Sequence, residues 1–372
     1  MKLISVLVLI GGAASQSCGW QNKGSSCPSN IPCCSEYGTC GWSPLHCGSF
    51  CQSAFSANSS AGTSPCYGQR FGKKCVSGRY NFDASTWVIN SDAFNGDINT
   101  ADWTVDPLGL DNGNLRFGAN GGFLASITKT PTGWAPTDPS DPNSFPQGLG
   151  VRVSSTAWVL YGTWESRFTV LPSPGLVTAF ISFSEERDEI DWEVTKDNTI
   201  GQPNFFYRGN FVAQNWPLTG LMENIGYDAT NQFVTFKVDW TPDAITWYIN
   251  GNAVKTYYKA DTCDSNGQNC KYPSTPSRIQ FALWDAGAGA PGSRNWAGGY
   301  TPWGNNAAVG FNSTVQYISV QCQGDPVPTG PPKRAAGYGA PSLIEPPIFV
   351  AVPGLKDYNE LAMTRKKSVY GN

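Results

Sequence analysis

Between residues 82 and 321, apolar and polar positions alternate in short runs broken by Gly, Pro, Asn and Asp, which is the period-two pattern of half-buried strands. Asn114–Phe117, Ala157–Val170, Phe233–Trp240, Ile245–Ile249, Arg278–Leu283 and Thr314–Val320 carry it, and Gly175–Phe183 is apolar enough for a strand buried on both faces. The clearest hairpin joins Phe233–Trp240 to Ile245–Ile249 through a turn at Thr241–Ala244 and ends at Asn250-Gly251, itself a turn dipeptide. No long 3.6-residue period interrupts these runs. So many strands in one block require two packed sheets, an all-β sandwich.

Within that block, residues 188–193 read Asp-Glu-Ile-Asp-Trp-Glu. On a strand, Glu189, Asp191 and Glu193 point to one face and Ile190 and Trp192 to the other. Like charges on neighbouring same-face positions push at least one pKa upward and cost stability, and a fold tolerates that mostly where it uses it. Glycoside cleavage needs such a set: one carboxylate attacks the anomeric carbon while a second, kept protonated, protonates the departing oxygen. Alternate Cα atoms four residues apart are about 13 Å apart, whereas retaining chemistry wants carboxyl groups ~5–5.5 Å apart, so the outer side chains must lean inward over Asp191. The competing reading is an acidic solvent face or a cation site on an edge strand. Against it stand the core-type Ile190 and Trp192 and the buried run that precedes them.

The pattern Glu-aliphatic-Asp-x-Glu resembles the active-site strand of family-16 glycoside hydrolases, most closely the fungal Crh-type cell-wall transglycosylases. The resemblance implies a concanavalin-like jelly-roll β-sandwich, with Glu189 as nucleophile, Asp191 as the helper that orients it and Glu193 as general acid/base. Tyr161-Gly162 with Glu165 and Arg167 resembles the strand before the active site in that family, and Asn204–Tyr207 with Gly209 the segment after it. Trp284 and Asn295-Trp-Ala-Gly-Gly299 resemble its Trp loop, with Asn295 standing where an acidic residue is usual. Tyr207, Trp284 and Trp296 are therefore the candidate substrate-binding aromatics. Trp284 and Trp296 flank a Gly/Ala-rich loop, where a core role is less natural.

Seven cysteines fall between Cys18 and Cys51, too densely for the segment to build a core of its own, so it is a disulfide-stapled mini-domain. A zinc knuckle would need paired Cys-x-x-Cys elements, which are absent. Adjacent Cys33-Cys34, followed by Ser35, Gly38 and Cys40-Gly41, resembles the hevein-like family-18 carbohydrate-binding module, which binds chitin. That resemblance implies the pairs Cys18–Cys34, Cys27–Cys40 and Cys33–Cys47, and leaves Cys51 to a later partner, Cys66. It maps sugar contacts onto Ser35, Tyr37, Thr39 and His46. Thr39 cannot stack and His46 stacks less well than Tyr, with Trp42 near enough to compensate, so weak chitin binding is expected. Cys263 and Cys270 enclose a short polar loop and pair locally. Cys75 and Cys322 then remain to tie the two ends of the sandwich, with Cys66–Cys75 and Cys51–Cys322 as the open alternative.

The chain opens with Lys2, an apolar run Leu3–Ile10 and small residues to Ser15, a secretion signal too short to span a bilayer. All 12 cysteines follow it, so the mature chain meets an oxidising compartment. The expected organisation is a signal at 1–15, a module at 16–52, a Ser/Gly-rich linker at 53–65, the catalytic sandwich at 66–323 and a Pro/Gly-rich disordered tail at 324–372. No terminal hydrophobic run supports a lipid anchor. Asn58 and Asn312 head glycosylation sequons.

A formal net charge of −3 offers nucleic acid or an anionic membrane no electrostatic footing. The single histidine, His46, rules out Ser-His catalysis and a His-rich metal cluster in the sandwich, so acid/base work falls to carboxylates. Neither cofactor nor metal is expected. The sequence thus points to a secreted, monomeric cell-wall enzyme that acts on chitin and β-glucan, cleaving β-1,4-linked chitin with retention and moving chains onto glucan or chitin acceptors. Its rivals are an endo-β-glucanase of the same fold and a non-catalytic chitin-binding lectin, which would have no use for three same-face acids.

Overall fold

The computed structural model describes residues 17–332 apart from 37, 43, 49–50, 58–64, 68–71, 92, 106–113, 119–120, 130–147, 172, 196–198, 213–222, 227 and 304–309. The expected signal segment, Tyr37, Asn58 and residues 333–372 lie outside the described residues.

Two nine-stranded sheets face each other. One carries the acids. Its central strands are β1 (Leu176–Ser184), β2 (Glu189–Thr195), β3 (Ile200–Tyr207) and β4 (Ser277–Asp285), ordered β3-β2-β1-β4 and continued by Val151–Ser155, Trp103–Val105 and Val88–Asn90. The second runs from Asn252–Tyr258 through Ala244–Ile249, Val234–Trp240, Gly162–Phe168, Gly310–Cys322 and Phe123–Lys129 to Leu115–Phe117. Pairing is antiparallel except between Val88–Asn90 and Trp103–Val105.

The alternation in the sequence explains the core. Along Val234–Trp240 every second residue, from Val234 to Trp240, is buried, and the hairpin register Trp240↔Ile245 closes through Thr241–Ala244. Asn250 and Gly251 both take positive φ, 48° and 82°, which is what a tight two-residue turn of this hand requires. On β2, Ile190 and Trp192 point inward, and the Trp192 ring meets Phe236 edge-on at 5.3 Å while its indole N–H donates to Lys237 O. Pro203 sits in β3 because the described pairings on that strand's outer edge fall only at its ends, Ile200–Gly201 and Phe206–Tyr207, so a missing N–H there breaks no ladder.

The six disulfides join Cys18–Cys34, Cys27–Cys40, Cys33–Cys47, Cys51–Cys66, Cys75–Cys322 and Cys263–Cys270. The sandwich is therefore tied end to end. Two expected boundaries move. Ser53–Phe55 is not linker but a 3-10 turn whose buried Phe55 packs edge-on against Trp20 at 4.7 Å, because the small module needs that ring as core. Residues 324–332, expected as the start of a disordered tail, lie along the strand Gly78–Tyr80, where the Arg79 N–H donates to Gly330 O and the Ser77 hydroxyl to Asp325. That strand's free edge supplies the reason.

Candidate active site

Asp188 opens the acidic stretch as an anchor rather than a reactant. Its buried carboxylate accepts bonds from the backbone N–H groups of Arg208, Ser274 and Thr275 and from the Thr275 hydroxyl at 2.7 Å. This fastens the start of β2 to the neighbouring loops. The backbone of Asp191 is held from behind, where the Trp247 indole donates to its carbonyl at 2.8 Å.

Glu189, Asp191 and Glu193 then emerge on the outer face of the sheet, away from the second sheet. Asp191 is buried, at 1% exposure, between two partly exposed glutamates. An apolar shelf adjoins them, made of Val177, Ala179 and Ile181 on β1 with Ala286, Ala297 and the two tryptophans of the following loop. The shelf is the physical cause of the titration pattern. Burial, and behind it the charge of Glu189, pushes Glu193 up to about 8, with the Trp284 indole hydrogen bond pulling the other way. Burial likewise lifts Glu189 to about 7 against the opposing pull of the neighbouring Asp191 and of the Arg187 charge. Asp191 is raised well above its ordinary value by burial and then by both neighbours' charges. No hydrogen bond of full geometry from a described residue reaches either of its oxygens.

Trp284 and Trp296 stack, with ring centroids 5.9 Å apart and planes inclined by 21°. Trp284 is the last-but-one residue of β4 and shares the acid face by register with Val177 and, through Ala282 and Ala179, with Glu193. The Trp296 indole donates to Gln202 Oε1 at 2.8 Å, and Gln202 pairs with Glu193 across β2 and β3. Both candidate tryptophans are therefore beside the acids. Tyr207 is not. Phe206 pairs with Glu189, so strand alternation turns Tyr207 to the opposite face, where the Arg208 guanidinium lies 5.4 Å from its ring.

Alternation also brings in residues that the motif left out. Asn204 pairs with Asp191 and Gln280 with Ile181, one strand further along, giving a polar row across the acid face. Asn204 Oδ1 and Gln280 Nε2 are buried with no hydrogen-bond partner among the described residues. Arg294 is a second omission. From the short helix Pro291–Trp296 it donates to Gly287 O and Gly289 O and to the Tyr300 hydroxyl, pinning the Gly/Ala loop that presents Trp296. Asn204 reaches the acid face only through the β2–β3 register, which the turn between the strands sets, and nothing in the sequence marked Arg294.

In the module, Ser35 is buried and its hydroxyl meets that of Thr39 at 2.8 Å. Trp42 is 73% exposed, and His46 lies flat on Gly41, where a Cβ would come within 2.3 Å of its imidazole. Asn312 is exposed on its strand, with its amide oxygen accepting from Ser126. No helix among the described residues is long and apolar enough to cross a membrane.

Residues 125–304 match the family of glycosyl hydrolases family 16, and residues 17–57 match the chitin recognition protein family. Crh-like protein 3 of Botryotinia fuckeliana is 26% identical over 80% of this chain and 60% of its own length. Crh-like protein UTR2 of Candida albicans is 30% identical over 81% of this chain and 57% of its own length. The chain thus spans about 60% of the length of the curated relatives it matches. Among solved structures, an apo Crh5 transglycosylase aligns with a TM-score of 0.45 at 21% identity, covering 68% of this chain and 90% of that one. This chain accordingly joins a family 16 glycosyl hydrolase domain to a chitin recognition module and is a homologue of the fungal Crh-like proteins.

Proposed function

We infer that the chain is an extracellular, cell-wall-directed retaining enzyme that cleaves β-1,4-linked chitin and transfers the released chain to a glucan or chitin acceptor. One observation carries this reading: Glu189, Asp191 and Glu193 alternate along β2 on one face of the sheet, with Asp191 buried between two partly exposed glutamates and the stacked Trp284 and Trp296 beside them. Two carboxyls flanking one site are what two-step displacement needs. Glu189, ionised, attacks the anomeric carbon as Glu193 gives its proton to the departing oxygen, forming a covalent glycosyl-enzyme. Glu193, now a carboxylate, takes a proton from the incoming hydroxyl, which attacks the same carbon and releases Glu189. Two inversions retain the β configuration. Asp191, buried between the two glutamates, is the helper that orients Glu189 and tunes its charge.

The acceptor decides between hydrolysis and transfer, because both proceed from the same glycosyl-enzyme. The Trp284–Trp296 stack gives a sugar acceptor a flat surface beside Glu193, and the chitin recognition module supports chitin as donor. The test is mass spectrometry of products from a chito-oligosaccharide donor with a labelled β-glucan or chitin acceptor. Labelled acceptor lengthened by N-acetylglucosamine units, with a β linkage by NMR, is the expected result. Products of water attack alone would refute transfer, and α-linked products would refute the two-step mechanism.

A further inference from the structure

The chitin recognition module meets the acid-bearing sheet at three described points. Glu36 forms a two-pronged ion pair with Arg152, at 2.6 and 2.9 Å. The Ser53 hydroxyl donates to Glu185 at 3.2 Å, in the turn that leads into β2, and Lys73 pairs with the same carboxylate at 3.0 Å. Trp20 lies 6.0 Å from the Arg208 guanidinium, directly after β3. Arg152 pairs with Ala282 and, through Ala179, shares a row with Glu193, so its side chain stands on the acid face. The module therefore contacts the working side of the sheet, at Glu185 and Arg208 near the Glu189 end of β2 and at Arg152 in the row of Glu193.

Covalent geometry keeps it there. The Ser/Gly-rich stretch at 53–65 begins and ends inside the loop closed by Cys51–Cys66, so it cannot lengthen the tether. Only the chain from Tyr67 to Lys73 separates the module's last packed residue from the Lys73–Glu185 pair, a span of at most roughly 20 Å when extended. Glu36 itself lies between Ser35 and Tyr37, in the loop that resembles the sugar-contacting segment of hevein-like modules. The ion pair thus carries that loop to the catalytic face.

We propose that the module is a fixed wall of the catalytic site, with Glu36 and Arg152 as the positioning pair, so that one β-1,4-linked N-acetylglucosamine chain runs from the Ser35–Thr39 loop across the acid face. This rests on the glycosyl-transfer reading above. A chain too short to span both surfaces gains nothing from the module, whereas a long one gains the effective concentration of a second contact on a short tether.

The test uses the full chain as wild type, Glu36→Arg, and the charge swap Glu36→Arg with Arg152→Glu. For each, kcat/KM is measured on a chitotetraose-sized donor and on one of twice that length or more. The long-to-short ratio is expected to fall about tenfold in Glu36→Arg, through KM, and to recover in the swap. Small-angle scattering should show a larger radius of gyration for Glu36→Arg and a return towards wild type in the swap. An unchanged ratio, or faster turnover of both donors once the pair is broken, would overturn the proposal, the second by making the module an obstruction. A wild type inert towards both donors refutes the glycosyl-transfer reading and this inference with it; an active wild type with an unchanged ratio refutes the inference alone.

Discussion

Replacing Glu193 by Gln should make the protein more heat-resistant at alkaline pH while stopping donor cleavage. In the fold this carboxyl titrates at about 8 rather than 4.5, chiefly because the apolar shelf and the stacked tryptophans withdraw it from water. The folded state thus holds a proton that the unfolded chain has already released. Below pH 4.5 both states are protonated and the group contributes nothing; between 4.5 and about 8 stability falls as pH rises; above that the whole penalty is present. At about 1.4 kcal/mol per unit, the face value is roughly 5 kcal/mol. Glu193 keeps part of its surface in water, which screens it, so on the order of 2 kcal/mol is the better figure. For a domain of this size that corresponds to roughly 4–8 °C. Calorimetric melting of wild type and Glu193→Gln at pH 4.5, 6 and 8 should give equal midpoints at the lowest pH and a gap that widens to that value at the highest. A constant gap across the series would show that Glu193 is an ordinary, well-solvated carboxylate, and the argument for it as the stored proton would fail.

Glu189→Gln should keep the fold, melting with wild type at pH 4.5 and above it at alkaline pH because burial raises this carboxyl too, and should lower donor turnover by at least about a thousandfold, because it removes the nucleophilic charge, while Asp191→Asn should cost only about ten- to a hundredfold; equal losses would mean that Asp191 reacts rather than helps. The pH profile of kcat/KM should rise as Glu189 ionises and fall as Glu193 does, with both limbs displaced upward by burial and the maximum between them, at roughly pH 7–8 instead of near the 4.5 of unperturbed glutamates. A maximum below pH 4.5 contradicts the burial argument. Trp284→Phe should move the alkaline limb upward, since the lost indole hydrogen bond favoured the Glu193 carboxylate, and should raise the KM of the acceptor; an unmoved limb would place the indole bond outside the catalytic cycle.

The sandwich was legible because strand burial imposes period two on the chain. The Val234–Trp240 and Ala244–Ile249 hairpin, with its Asn250-Gly251 exit, follows directly from that pattern. The same logic puts three acids on one face. It failed where the signal is local and aperiodic. Phe123–Lys129 and Val151–Ser155 contain few charged residues to mark their outer faces, and the helix Pro291–Trp296 is too short to show a period. Tyr207 shares Glu189's parity along the chain, but the turn before β3 shifts the register by one, so Phe206 and Asn204 take the acid face and Tyr207 the other; that shift is not written in the sequence. Arg152 and Arg294 act through partners distant in sequence or through backbone carbonyls, and neither relation leaves a mark in a one-dimensional pattern.

The bond between Cys75 and Cys322 spans 247 positions of chain and brackets nearly every loop of the sandwich. Proteolytic damage is therefore contained: a single cut anywhere between those two residues leaves both fragments on one covalent molecule, still paired strand to strand. A nicked molecule would migrate as one band without reductant and as two with it, and would hold together until a second cut fell close enough to the first to release the piece between them.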